Sequence, residues 1–495
     1  MAFKNQANIK TLIAGFLVAT TAVSLTIRDG SKETTVMFGE TKISLAAFNA
    51  YHYCQPSYPD PDTYTALPNS KLVYVQAIVR HGNRSPSLNF PNNNVTWYDC
   101  GSSLNRLYEN KVNNDDDSVT MVQNIYGLTP GSNDYGSSLW EGNCYTGQLT
   151  DSGKKQLYDL GSAIRKVYVD KLGYLSKNLA KNNSDSIYVR TTYAPRTTDS
   201  AINLVSGLYP SQYREKGVTV NTGYFPIEVD NSFFNSGPCP NINVLFSKIK
   251  SSQQYMEFFN STLPDLNRFM NILGVSPTNS AFNSDWGNSV DIATSTMCAN
   301  KPLPCNSTGS CITTDDVSIS LANLYQQFIY QKRDNNLVLD LLSIGLTPIL
   351  KNYISNINAA IQTDKKNPNF DSCKNSSVGT KFAIHSAHDE TIINLLAVLN
   401  ASNEDMLPPP FASNVLTEVW RDLSTGEYKV RILYNNRVIN VGPARKKGNT
   451  DTVVISQTQA TDTNPAWCDF NNCSLDTYLA YLSQYITSDL YKLCH

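Results

Sequence analysis

The chain has 495 residues, 41% of them hydrophobic and 17% charged, with a formal net charge of -2. That length allows more than one structural unit and an ample core. A net charge so near zero excludes a broad electrostatic attraction to nucleic acid or to an anionic membrane, and leaves a local basic pocket open.

Lys4 and Lys10 precede Leu12-Ile-Ala-Gly-Phe-Leu-Val-Ala-Thr-Thr-Ala-Val-Ser24, a basic start followed by an apolar run too short for a comfortable span. Residues 1–25 read as a cleaved signal peptide, with an uncleaved anchor as the alternative. No later segment is long and apolar enough to cross a bilayer, so no stable span is expected after cleavage. Glycosylation sequons at Asn94, Asn182, Asn260, Asn306, Asn375, Asn400 and Asn472 agree with export. So do eleven scattered cysteines with no CxxC pair, which favour disulfides over a zinc site. The odd count leaves at least one thiol free or bonded to another chain. A secreted or lysosomal destination is expected.

Residues 26–69, with Pro56, Pro59, Pro61 and Pro68, read as an irregular, surface-hugging arm. Leu72 to Val79 is then an apolar, β-branched run of the kind that forms a buried strand. It stops at Arg80-His81-Gly82-Asn83-Arg84-Ser85-Pro86, where Gly82 and Pro86 mark a tight turn. Two arginines and a histidine are thereby held just past the carboxyl end of a strand, where open α/β sheets bind ligands. Arginine presents a planar donor fork suited to phosphate oxygens. A neutral imidazole between two such forks is able to attack phosphorus.

Residues 87–148 are polar and loop-rich, with an acidic tip at Asn113–Ser118. Thr150 caps a helix whose Leu157, Leu160, Ile164, Val167 and Leu172 make one apolar face. Ser186–Val189 is a short strand, and the following Arg190-Thr-Thr-Tyr-Ala-Pro-Arg196 leads into a helix that ends near Gly207. From about 225 to 365 helical patterns dominate, in Val244–Asn260, Leu263–Leu273, Leu321–Gln331 and Leu346–Ile361. Cys298, Cys305 and Cys311 cluster in a loop of this stretch. The α/β pattern resumes with strand, turn and helix over Lys381-Phe-Ala-Ile-His385-Ser-Ala-His388-Asp389-Glu390-Thr. Strands follow at Val415–Trp420 and Tyr428–Tyr434, and Arg445-Lys446-Lys447 reads as a solvated loop. His385 reads as a packed, hydrogen-bonded histidine, and His52 and His495 carry no role. No cluster has metal-ligand spacing.

The blocks RHGNRSP, LTDSGKKQLYDLG, YVRTTYAPRTTDSA and HSAHDET resemble the histidine acid phosphatase family, the acid-phosphatase and phytase branch of the histidine phosphatases. Leu407-Pro-Pro and the later Leu416-Thr-Glu418 extend the match. The resemblance implies a three-layer, phosphoglycerate-mutase-like α/β domain with a central mixed sheet and an inserted, mostly α-helical cap. Its parts would be residues 70–224 with 366–495 for the α/β domain, and 225–365 for the cap.

The implied activity is metal-independent hydrolysis of phosphate monoesters at acidic pH. His81 would become the phosphohistidine, with Arg80, Arg84, Arg196 and His388 on the phosphate and Asp389 as the proton donor. Arg196, not Arg190, takes the family's arginine position. No cofactor and no metal are implied. The partner is a small phosphomonoester and not a nucleic acid, with a homodimer left open. By family pattern Cys239 pairs with Cys494 and Cys468 with Cys473.

The chain departs from the pattern in three places. Asn83 stands where Asp is frequent, and is expected to change only local hydrogen bonds. Glu390 is an alternative acid, because some inositol-phosphate members place a glutamate there. Asn414 replaces a frequent cysteine, so Cys298 lacks its usual partner, which leaves a bond elsewhere open. An inositol-polyphosphate phosphatase is the nearest functional alternative, and a secreted binding or signalling protein that keeps the fold is another.

Overall fold

The computed structural model describes residues 53–100, 140–366, 379–445 and 465–495, and two short strand pairs near residues 27–34 and 106–123. The expected signal segment, His52, the acidic tip, Asn375, Cys373 and Lys446-Lys447 lie outside the described residues.

Eight strands form one mixed sheet. They are β1 (Ser70–Arg80), β2 (Ile187–Thr191), β3 (Thr222–Gly223), β4 (Phe382–Ala387), β5 (Asn414–Asp422), β6 (Tyr428–Tyr434), β7 (Arg437–Val438) and β8 (Cys473–Ser474). The order is β7-β6-β5-β1-β4-β2-β3, with β8 paired to β6. β1, β4 and β2 are parallel neighbours, whereas β5 runs antiparallel to β1. Register aligns Arg80 with Ala387, and Thr191 with Ser386. Three strands therefore end at one level, and their following residues emerge side by side.

β1 is buried on both faces. Val75, Ala77 and Val79 join one apolar cluster, Tyr74 and Ile78 the other. The first face is covered by α1 (Asp151–Arg165) and α2 (Pro195–Leu208), through Leu157, Leu160, Ile164, Leu204 and Leu208. Each such fully buried side chain contributes about 1.5–3 kcal/mol. On the second face pack α3 (Asn241–Lys250), α4 (Gln253–Leu273), α5 (Gly287–Cys298), α6 (Thr314–Ile329), α7 (Val338–Lys366), α8 (Asp389–Val398), α9 (Leu475–Ser483) and α10 (Leu490–Cys494). The mixed sheet between helical layers is the expected class.

Some expectations shift. The helical break falls at Ser251-Ser252, not between Asn260 and Leu263, because the Ser252 hydroxyl accepts the Tyr255 N–H and starts α4 afresh. Pro264 is carried inside α4, on its exposed side, where the carbonyl that loses its partner meets water. The arm does not merely hug the surface. Tyr53 joins one core and Tyr64 and Leu67 the other, so residues 53–69 brace the sheet.

Ten cysteines pair: Cys239 with Cys494, Cys468 with Cys473, Cys54 with Cys298, Cys100 with Cys144 and Cys305 with Cys311. Among the sequons, Asn94, Asn182, Asn260 and Asn472 are exposed and Asn306 is half-buried. Asn400 must be withdrawn as a glycan site: it is 2% exposed, donates to the Pro443 carbonyl and accepts from Arg445. Among the described residues no single helix is long and apolar enough to cross a membrane.

The Leu416-Thr-Glu418 block has a structural duty. Glu418 is fully buried on β5, and its Oε1 accepts the hydroxyls of Tyr64 (2.7 Å) and Tyr168 (2.5 Å). Oε2 accepts Trp420 Nε1 (3.0 Å) and the Arg431 guanidinium (2.7 Å). Four donors from the arm, α1's continuation and two strands are thus held on one carboxylate.

Candidate active site

The loop after β1 is fixed by its main chain. The His81 N–H donates to the Ala387 carbonyl on β4 (3.0 Å), and the Arg80 N–H to Ser413 beside β5 (2.9 Å). The Asn83 carbonyl accepts both the N–H and the hydroxyl of Thr150, the N-cap of α1. Gly82 and Gly153 allow this contact: a Cβ on Gly82 would strike the Gly153 carbonyl, and one on Gly153 the Asn83 carbonyl. The LTDSG block thus serves the RHGNR block by letting two backbones touch. Asn83 takes part in local hydrogen bonding. Its Oδ1 accepts the Arg84 N–H, and its N–H donates to Gln156, which in turn bonds the Cys54 carbonyl.

Arg80 is buried between the rings of Phe411 (4.3 Å) and Tyr53 (5.4 Å). It donates to the Tyr53 hydroxyl (2.9 Å) and the Pro409 carbonyl (2.5 Å), and pairs with Asp389 (2.9 Å). The Leu407-Pro-Pro block is the floor beneath this guanidinium. Arg84 pairs with Asp291 of α5 (2.7 Å). His81 Nδ1 lies 2.8 Å from the Gly82 carbonyl. A carbonyl only accepts, so Nδ1 carries the proton and Nε2 the lone pair.

The other half comes from the ends of β2 and β4. Arg196 opens α2, and His388 and Asp389 open α8, so two helix N-termini add positive potential. His388 Nε2 lies 3.0 Å from the Thr192 hydroxyl, and its Nδ1 3.5 Å from Arg196. The His81 and His388 rings are 5.7 Å apart. The structure therefore brings His81, Arg80, Arg84, Arg196, His388 and Asp389 together. Arg190 does not join them: it bonds Asn231 and Ser232. His385 is packed as expected, between Tyr353 (2.8 Å) and Ser232 (3.0 Å). Glu390 is adjacent but held by Lys332 (2.9 Å).

The electrostatics are lopsided toward cations. Burial, then Arg196, Arg84, Arg80 and His388, hold His81 well below the usual histidine value, so it stays neutral in acid. His388 is lowered by burial and by Arg196, with Asp389 opposing. Burial and Arg84 push Arg196 down to about 10. Burial would raise Asp389, yet Arg80, Arg84, His388 and the Glu390 N–H hold it below the usual carboxylate range. Among the described residues, the Nε groups of Arg80, Arg84 and Arg196 are buried with no protein acceptor. Three buried, unsatisfied guanidinium donors suit a tetrahedral oxyanion.

A cavity of about 600 Å³ opens beside Arg80, Arg84 and Asp389 and is lined also by residues of α3, α5 and α6. Tyr53, Asp291 and Lys332 at this site were not readable from motifs, and Thr192 lies in a motif block without a role of its own there. Asp291 is 204 positions from Ser87, whose N–H it accepts (2.8 Å), and no local signal links them.

Comparison with known proteins agrees with the geometry. Counting factor 60 of Dictyostelium discoideum is 27% identical over 380 residues, covering 75% of this chain and 81% of its own. The 2-phosphoxylose phosphatase 1 of Homo sapiens is 26% identical over 404 residues, covering 80% and 77%. Lysophosphatidic acid phosphatase type 6 of Homo sapiens is 24% identical over 379 residues, covering 74% and 78%. The Hafnia alvei phytase in complex with myo-inositol hexakis sulphate shares the fold, with TM-score 0.50 and 14% identity over 87% of this chain and all of that one. Residues 71–435 match the family described as Histidine phosphatase superfamily (branch 2), which spans every block from the RHGNR loop to β6. The chain belongs to that family, the branch of the acid phosphatases and phytase-like folds.

Proposed function

We propose that this protein hydrolyses phosphate monoesters through a phosphohistidine on His81. The observation that carries the reading is the His81 Nδ1 contact to the Gly82 carbonyl, 2.8 Å, which leaves Nε2 as a nucleophile amid three arginines. Nε2 attacks phosphorus, and the bond to the ester oxygen breaks. Arg80, Arg84, Arg196 and neutral His388 hold the equatorial oxygens, whose charge grows in the transition state. Asp389 delivers a proton to the departing alkoxide, which leaves as the alcohol. Water then attacks the phosphohistidine, Asp389 takes its proton, and inorganic phosphate is released.

Asp389 is ionised beside Arg80 in the free protein, so its proton must arrive with the substrate. A phosphate dianion competes for the Arg80 fork and raises the affinity of Asp389 for a proton. Acidic pH favours that step, and the depressed His81 keeps its nucleophile available there. Glu390 is the lesser choice for the acid, because its carboxylate is paired with Lys332 and not with an arginine of the phosphate loop, as that of Asp389 is. Asn94, Asn182, Asn260, Asn306 and Asn472 remain glycan sites in this reading, and passage through the secretory pathway accounts for the disulfides. Residues 225–365 act as the cap over the α/β domain.

The test is hydrolysis of p-nitrophenyl phosphate across pH with EDTA present. Activity is expected in chelator, and His81→Ala should abolish it. Rapid quench of the wild-type protein with labelled substrate should trap one acid-labile phosphoryl group per chain. Turnover by His81→Ala, or folded wild-type protein with no turnover, would defeat the mechanism. The second outcome would favour a binding role.

A further inference from the structure

The cavity beyond the catalytic loop shows an unusual balance of charge. Among the described residues, its four cationic side chains are each matched to a carboxylate that lines the same cavity. Arg80 meets Asp389, Arg84 meets Asp291 (2.7 Å), Lys332 meets Glu390 (2.9 Å) and Lys250 meets Asp285 (3.7 Å). Lys332 is further enclosed by the rings of Phe234, Phe246 and Phe328 at 4.7, 5.7 and 5.8 Å. Its Nζ donates to both Glu390 and the Asn394 side chain (3.1 Å), so two protein acceptors already share it. The remaining polar lining is neutral, the amides of Asn243, Asn288 and Gln327 among it.

The phosphate pocket itself is set for a single dianion. Arg80, Arg84 and Arg196 face Asp291 and Asp389, which leaves one net positive charge. Protonating Asp389 makes it two, which one phosphate dianion neutralises. Among the described residues that line the cavity no cation is left over for a second phosphate, because the Lys250 and Lys332 pairs already cancel. A polyanionic alcohol would bring its extra charges beside Asp285 and Glu390 and would have to break those pairs.

We infer that the alcohol part of the substrate is uncharged and rich in hydroxyls, the class of a sugar monophosphate, and that additional phosphates on it are rejected. Amides and hydroxyls in the wall pair with sugar hydroxyls, and the Phe246 and Phe328 rings pack on the apolar face of a sugar ring. This rests on the phosphatase reading above and narrows it.

The experiment compares kcat/KM for glucose 6-phosphate, fructose 1,6-bisphosphate and phytate, with p-nitrophenyl phosphate as the general substrate. Glucose 6-phosphate should be preferred over both polyphosphates. Asp285→Asn keeps an acceptor for the Gly287 N–H and releases Lys250. It should raise the phytate to glucose 6-phosphate ratio about threefold to fivefold, the effect of one partly exposed charge. Lys250→Gln should move that ratio the other way. A wild-type preference for phytate or the bisphosphate, or a ratio that neither variant moves, overturns the inference. Failure on p-nitrophenyl phosphate as well would instead overturn the phosphatase reading beneath it.

Discussion

Glu418→Gln offers a sharp stability test. The wild-type carboxylate accepts from two tyrosine hydroxyls, the Trp420 indole and Arg431, and it is 0% exposed. A glutamine has one acceptor oxygen in place of two. If that oxygen faces Trp420 and Arg431, which only donate, its NH2 faces Tyr64 and Tyr168, whose hydroxyl protons then lose their acceptor. Arg431, only 5% exposed, keeps its charge and loses its counter-ion. Removing one partner of a buried pair costs about 3–5 kcal/mol. The assay is urea unfolding of disulfide-intact protein, read as a lower midpoint at unchanged slope. Replacing both Glu418 and Arg431 by methionine should recover only the share due to the unpaired charge, because Tyr64, Tyr168 and Trp420 still lack an acceptor. A single-variant loss under about 1 kcal/mol, below the usual cost of even one unsatisfied buried donor, would refute the reasoning.

Stability should also fall in mild acid. His81, His385 and His388 all have folded values below the ordinary 6.5, so the unfolded chain binds protons that the folded one refuses. Their contribution is whole above pH 6.5 and is lost as pH drops below it, at roughly 1.4 kcal/mol per pH unit per histidine. His385→Gln, at a residue held by Tyr353 and Ser232, should flatten the urea midpoint between pH 7 and 5 by about one histidine's share. Arg196→Gln should weaken turnover and, by removing a positive charge near His81, shift the acid limb of kcat/KM to higher pH; an unmoved limb would detach His81 from that limb. Gly153→Ala places a Cβ against the Asn83 carbonyl and should lower stability by about 1–3 kcal/mol, measured by urea midpoint, with a matching loss of activity.

Much of the site was legible because it is local. RHGNR follows an apolar run, and HSAHDE follows another, so strand, turn and charged group could be placed from neighbours in sequence. The register of β1 with β4 then does the rest, setting Arg80 opposite Ala387. The Glu418 carboxylate was visible only as part of a block, since its four donors come from residues 64, 168, 420 and 431. Asp291 and Tyr53 were illegible for the same reason: an ordinary aspartate and tyrosine gain their role by folding back onto arginines far away in the chain. The burial of Tyr53 also explains why the arm was misjudged. Its prolines signal irregular backbone, and irregular backbone can still lie in a core when its side chains are aromatic.

The Cys54–Cys298 bond joins two segments 244 residues apart. Tyr53 beside its first half supports Arg80, and the helix ending at its second half carries Asp291, which supports Arg84. The crosslink is thus the common fastening of both arginine braces. Both arginine supports therefore hang on one covalent tie, so reducing it is expected to loosen Tyr53 and the end of α5 together.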